Sequence, residues 1–227
     1  EPAFPARLEA GTDSFSVSFL LERGKEPVLQ GREGLSPKGP GRGNASYYYS
    51  LTRMPTEGTV TVGGDTLRVE GTSWMDREWS TSALGPGVEG WDWFSMQLDN
   101  GHELMYYQLR REDGSPSPLS AGTWVEPDGS YRSLASPEVE LSPVDRWESP
   151  EGEVSYPVSW EISVPSEELE LTVEAVLRDQ EWRGAFRYWE GAVEVRGSLD
   201  GEGVGGRGYV ELTGYGGTIP AGSDDGG

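Results

Sequence analysis

Cysteine is absent from the 227-residue chain, which excludes disulfides, thiolate nucleophiles and cysteine-held metals. Histidine occurs once, as His102 beside the Asn100-Gly101 pair. A lone histidine on a hairpin reads as a surface residue, and a Ser-His-Asp triad or a zinc site of the usual kind lacks its parts. The 18 basic residues include only two lysines, Lys25 and Lys38, against 39 acidic residues, for a net charge of −21. Nucleic acid and anionic membrane surfaces need basic footprints, so neither is expected as a partner. High acid with little lysine fits a salt-adapted or GC-rich source, or simply an acidic surface that keeps the protein soluble. No apolar run reaches the length of a transmembrane helix. The first ten residues, EPAFPARLEA, lack the basic and apolar regions of a secretory signal. No P-loop, dinucleotide fingerprint or GxSxG elbow occurs, and no cofactor or metal is expected.

Aromatic residues are plentiful: nine Trp, ten Tyr and five Phe. Glycine (33) and proline (16) fit many turns between short strands. Period-two alternation recurs over 14–22, 58–74, 94–110, 156–165, 169–177 and 191–199, which predicts an all-β chain. Gly63-Gly64-Asp65, Asp99-Asn100-Gly101 and Pro127-Asp128-Gly129 read as hairpin turns, the second as type I′. Only 179–190 leaves room for a short helix. Residues 36–46 and 80–90 are Gly/Pro-rich connections, the second taken as a domain boundary, and 218–227 reads as a disordered tail. Antiparallel strands around an aromatic interior suggest a β-barrel or an open, barrel-like sandwich.

The stretch GTSWMDREWS (71–80) sets Asp76, Arg77 and Glu78 between two tryptophans. In a strand, Trp74, Asp76 and Glu78 share one face. A carboxyl group beside tryptophan in a poorly hydrated place holds its proton near neutrality and can donate it. The competing reading is a carboxylate paired with Arg77 or Arg53 as structural cement. Trp91, Asp92 and Trp93 form a second such cluster. In YYYSLTR (47–53), Tyr47, Tyr49 and Arg53 share a face and could orient a ligand oxygen. Tyr106 and Gln108 offer a second strand of the same kind, and Tyr188 and Trp189 a third. Aromatic packing explains each set equally well. Paired carboxylates among tryptophans also suit a glycosidase.

GNASYYYSLTRM, GTSWMDREWS, GWDWFSMQLDNGHELMYYQLRREDG, RYWEGAVEVRG and GRGYVELTGY, in this order, resemble the AttH-like, carotenoid 1,2-hydratase-related family. The resemblance runs from about residue 30 to 217. It implies antiparallel lipocalin-like β-barrels: residues 1–85 as the back part of a first, partial barrel, and 86–217 as a second, complete one. It implies a hydrophobic small-molecule partner, and a periplasmic or extracellular place with the cytoplasm left open. An upstream family segment with a Trp-Trp-Tyr strand has no match here, so a second polypeptide supplying barrel strands is expected. Arg77 stands where many members carry histidine, which removes a histidine relay at that position.

Two functions follow from the resemblance. The first is a hydratase or pericyclase acting on a polyene or terpenoid-like substrate. Asp76 would be the proton donor, and Glu78 or Asp92 would orient water. Trp74, Trp91, Trp93, Tyr47 and Tyr49 would stabilise positive charge through their π faces, with Arg53 polarising a carbonyl. The second is a non-catalytic carrier of a lipophilic ligand, linked to an envelope export system.

Overall fold

The structure, a computed structural model, describes residues 3–39, 41, 44–80, 84–152, 154–184 and 187–216. The expected tail at 218–227 and parts of the two Gly/Pro-rich connections lie outside these residues. The described residues form sixteen strands: β1 (Ala6–Gly11), β2 (Phe15–Leu21), β3 (Val28–Leu29), β4 (Leu35–Pro37), β5 (Ala45–Val62), β6 (Asp65–Ser80), β7 (Val88–Leu98) and β8 (Glu103–Arg111) come first. They are followed by β9 (Ala121–Val125), β10 (Tyr131–Ala135), β11 (Glu140–Glu148), β12 (Ser155–Val164), β13 (Leu169–Ala175), β14 (Glu181–Arg183), β15 (Arg187–Leu199) and β16 (Glu202–Leu212). Two single 3-10 turns are the only helical pieces among the described residues, and no helix is long and apolar enough to cross a membrane.

Two compact units divide the chain, and they interleave in sequence. Unit 1 comprises Glu1–Leu29 and Tyr49–Arg77, and unit 2 comprises Gln30–Tyr48 and Glu78–Gly227. Strands β1, β2, β5 and β3 neighbour one another in that order, with β4 and β6 also paired to β5. Unit 1 has a small apolar cluster of Leu21, Leu51 and Met54, flanked by Phe19, Tyr49 and Met75.

Unit 2 holds the ten-stranded sheet, in the order β10-β9-β8-β7-β16-β15-β13-β12-β11 with β14 on β15. Alternation explains its core. Along β13, Leu169, Leu171 and Val173 turn inward while Glu170, Thr172 and Glu174 face water. Phe94, Met96 and Leu98 of β7, Trp160 and Ile162 of β12, and Trp189, Val193 and Val195 of β15 join the same cluster. One cluster fed by strands from both ends of the sheet requires that the sheet curl around it. Trp160 is fully buried, its ring 5.4 Å from Phe94 and 6.1 Å from Trp189. Trp160→Ala should cost about 3–5 kcal/mol of stability, checked by urea unfolding; a loss within error of zero would mean that this interior is not packed.

The turns carry a correction. Asp99-Asn100-Gly101 is not type I′, because Asn100 keeps a negative φ and only Gly101, at φ 91°, is left-handed. Gly101 N–H donates to the Leu98 carbonyl and Leu98 N–H to that of His102, a three-residue hairpin closed by a glycine bulge. Among the described residues, the two-residue turns with both central φ values positive are Gly63-Gly64 and Asp200-Gly201, at 59° and 94°, and 52° and 75°. The glycine-rich 201–208 run enters β16, where a Cβ on Gly208 would come 2.3 Å from the Ser95 carbonyl oxygen.

Residues 179–190 hold no helix among those described. Glu181 pairs with Trp189 and Arg183 with Arg187 as a β-hairpin. The cause is the Glu181 carboxylate, which is buried and accepts hydrogen bonds from Ser149, Tyr156, Arg183 and Arg187 at 2.6, 3.1, 3.0 and 2.9 Å. Burial alone would raise its pKa, but these donors outweigh burial and hold it below the ordinary value. On the outer edge of the sheet, β11 pairs only with β12 among the described residues, and its register shifts between Pro143 and Arg146.

Candidate functional site

Within unit 1, β6 runs beside β5 and brings Asp76 to Ser50. The Ser50 hydroxyl donates to Asp76 Oδ1 at 2.6 Å, and the Trp74 indole N–H donates to the same oxygen at 2.8 Å. Trp74 and Asp76 share a face because they are two apart on a strand. Both are half-buried, while Arg77 is exposed. Ser50 alternates with Tyr49, so Asp76 meets the face of β5 opposite to that of Tyr49. Tyr49 instead flanks the Leu21, Leu51 and Met54 cluster, and Arg53 follows it along the strand.

Glu78 belongs to unit 2 and has a different setting. It accepts from the Ser46 hydroxyl and pairs with Lys38 Nζ at 2.9 Å. Lys38 lies 4.2 Å from the centre of the Tyr107 ring and 5.5 Å from that of Tyr48. Tyr48 accepts from the Trp93 indole at 3.0 Å, and the Tyr107 and Ser36 hydroxyls are 3.0 Å apart. Tyr48 and Tyr107 are buried, whereas Tyr47 is 67% exposed. Among the tyrosines of 47–49, it is therefore Tyr48 that joins Trp93. Sequence reasoning passed over Lys38 and Tyr48. The scarcity of lysine was the one signal that could have drawn attention to Lys38.

Asp92 is buried, and both its oxygens are engaged. Arg110 donates to Oδ1 and Tyr215 to Oδ2, the latter at 3.0 Å. The Arg110 guanidinium lies 3.8 Å over the Tyr215 ring and also donates to the Thr213 carbonyl. Burial lifts the Asp92 carboxyl to about 6, against the pull of Arg110 and the Tyr215 hydrogen bond. Asp92 is thus an ion-pair member at its strand. Trp91 donates to Glu211 Oε1 at 2.9 Å and is half-buried. Tyr106 and Trp189 stand in the packed core of unit 2. Gln108 is half-buried opposite Asp92. Tyr188 is also half-buried, its hydroxyl pKa raised by burial and then by Glu211 and Glu190.

His102 is not the surface residue expected. Its ring stacks on Trp124 at 4.9 Å, and Nε2 lies 2.9 Å from Glu126 Oε2. Among the described residues, no group of three His, Asp or Glu side chains could hold a metal ion.

A curled antiparallel sheet around an aromatic core, with carboxyl groups held beside tryptophans, defines a lipocalin-like all-β protein. The chain belongs to the AttH-like family, whose profile matches residues 1–215, further toward the N-terminus than the motifs alone reach. It is 24% identical over 216 residues to kievitone hydratase of Fusarium solani subsp. phaseoli, covering 91% of this chain and 59% of that protein. It is 22% identical over 218 residues to dehydratase asqC of Emericella nidulans, covering 91% and 60%. The crystal structure of an AttH protein from Nitrosomonas europaea superposes with a TM-score of 0.81 at 37% identity, over 92% of this chain and 65% of that one. Kievitone hydratase from Nectria haematococca has a similar fold, with a TM-score of 0.76 at 21% identity, covering 92% and 64%. CghA bound to Sch210972 gives 0.55 at 15% identity, covering 91% and 63%. The chain spans about three fifths of the length of the curated relatives it matches.

Proposed function

We propose that the chain is part of a lipocalin-like enzyme that adds water to, or removes it from, a hydrophobic small molecule, with Asp76 as the group that moves the proton. The observation that carries this reading is the hydrogen-bonding of Asp76. Both donors named above go to Oδ1. Those two bonds hold Oδ1 in place whether or not the carboxyl carries a proton, so this part of its anchorage is common to the acid and the carboxylate. In hydration, the Oδ2 proton goes to the alkene carbon, water adds to the cation, and the water's surplus proton returns to Oδ2. Dehydration runs the same steps backwards. The Trp74 ring beside the carboxyl offers a π face to the positive charge that develops.

The named relatives favour water chemistry over carriage. The interior of unit 2 argues the same way, because a lipocalin carries its ligand inside the barrel and here Trp124, Trp160, Trp189, Tyr106, Tyr156 and Phe94 fill that space. The test is to incubate the protein with a panel of prenylated phenols and linear polyenes in ¹⁸O-labelled water. Product mass should rise by one labelled water for at least one member. Tight, unchanged recovery of a panel member would favour the carrier reading instead.

A further inference from the structure

Lys38 is one of two lysines in a chain of net charge −21, and it is not spent on the surface. Its side chain is 14% exposed, in a segment that precedes β5. An ammonium has three hydrogen-bond donors. Among the described residues its oxygen partner is Glu78, and its ammonium also lies over the rings of Tyr107 and Tyr48. Neither ring is free to swing aside. Tyr107 is held through its hydroxyl by Ser36, and Tyr48 through its own by Trp93. Ser36, Tyr48 and Tyr107 are all buried.

An ion pair built only for structure would leave both charges enclosed and fully hydrogen-bonded, because a buried charge without partners is expensive. Here the two ends differ. Glu78 is 37% exposed and can be rehydrated cheaply, whereas Lys38 cannot. Another anionic oxygen could therefore take the place of Glu78 while Lys38 stays where it is. Such an oxygen would meet a cation in low dielectric, flanked by aromatic faces that suit an apolar neighbour. The strong negative charge of the whole chain makes this local cation necessary, since an anionic ligand is otherwise repelled.

We infer that Lys38 is a binding residue for an acidic oxygen, carboxylate or phenolate, on an otherwise hydrophobic ligand, and that Glu78 occupies its place until the ligand arrives. The inference rests on the reading of the chain as acting on a hydrophobic small molecule, and it narrows that class to amphipathic acids. Tyr48 and Tyr107 are the walls of the subsite, and Ser46 holds Glu78 at its rim.

The test uses cis-parinaric acid and its methyl ester, whose fluorescence reports binding, at neutral pH. The wild-type protein should bind the acid about tenfold more tightly than the ester, as expected for a charge-assisted hydrogen bond away from water. Lys38→Met should erase that preference and leave the affinity for the ester unchanged. Glu78→Gln, which removes the competing carboxylate, should increase the preference for the acid several-fold; it also keeps the test open if Lys38→Met does not fold. An acid-to-ester ratio that neither variant changes, with the ester still bound, would overturn the role of Lys38 and leave the hydrophobic reading standing. If the wild-type protein binds neither probe, both fall.

Discussion

Asp76→Asn should lower turnover of any substrate hydrated by this chain by about a hundred- to ten-thousandfold, the range for removing a general acid. Its stability should change by less than about 1 kcal/mol. The two expectations belong together. Asparagine keeps a carbonyl oxygen where Oδ1 accepts from Ser50 and Trp74, so these two hydrogen bonds survive. What is lost is the second oxygen's ability to carry and return a proton. A rate measured against the wild type, together with the thermal midpoint of each, decides the matter. Retained turnover would clear Asp76 of the role. Lost turnover with a collapsed midpoint would make it a structural residue, like Asp92.

Arg110→Met should cost about 3–5 kcal/mol at pH 8, because it strands the buried Asp92 carboxylate without its counter-charge. The sign of the pH dependence follows from Asp92. Its carboxyl sits at about 6 in the folded protein against an ordinary 3.8, so the folded state binds its proton more tightly than the unfolded chain. That contribution to stability is fully present below about 3.8 and is lost as pH rises through about 6. Removing Arg110 raises the folded value further and moves the window upward. The deficit of the variant should therefore shrink from pH 8 to pH 5. Urea unfolding of both proteins at the two pH values is the check, and an equal deficit at both would show that Asp92 is not charged in the native ion pair. Glu181 works in the opposite sense: its folded pKa is lowered, so its contribution is present above the ordinary carboxylate range and lost on acidification.

The strands of unit 2 were legible because one face is buried and the other wet, as in β13, where every second residue is acidic or hydroxylic. The family was legible from five ordered motifs. The tyrosine run was harder, because along 48–54 of β5 buried residues fall on both faces and alternation no longer says which side matters. Lys38 sits in a Gly/Pro-rich segment with no periodicity, and its ring partner Tyr107 and its ion-pair partner Glu78 are distant in sequence. Asp179 and Arg183 have the i,i+4 spacing of a helical ion pair and do pair, but Arg183 stands in a hairpin strand and Asp179 just before it. Burial of Glu181 decided the local structure, and no window of sequence reveals four donors converging from three strands and a turn.

The outer strand β11 has a meaning beyond its register shifts. A free sheet edge is a template on which another extended chain can grow, and proteins that persist at high concentration blunt it. Here the edge carries Pro143, which has no N–H to offer, followed at once by an irregularity and by the charges of Asp145 and Arg146. A second strand arriving there would find a missing donor, a broken spacing and a charged row. Combined with the mutual repulsion of strongly acidic molecules, this makes the β11 edge a poor seed for amyloid-like stacking, and it equips an all-β chain rich in exposed strand to remain dispersed.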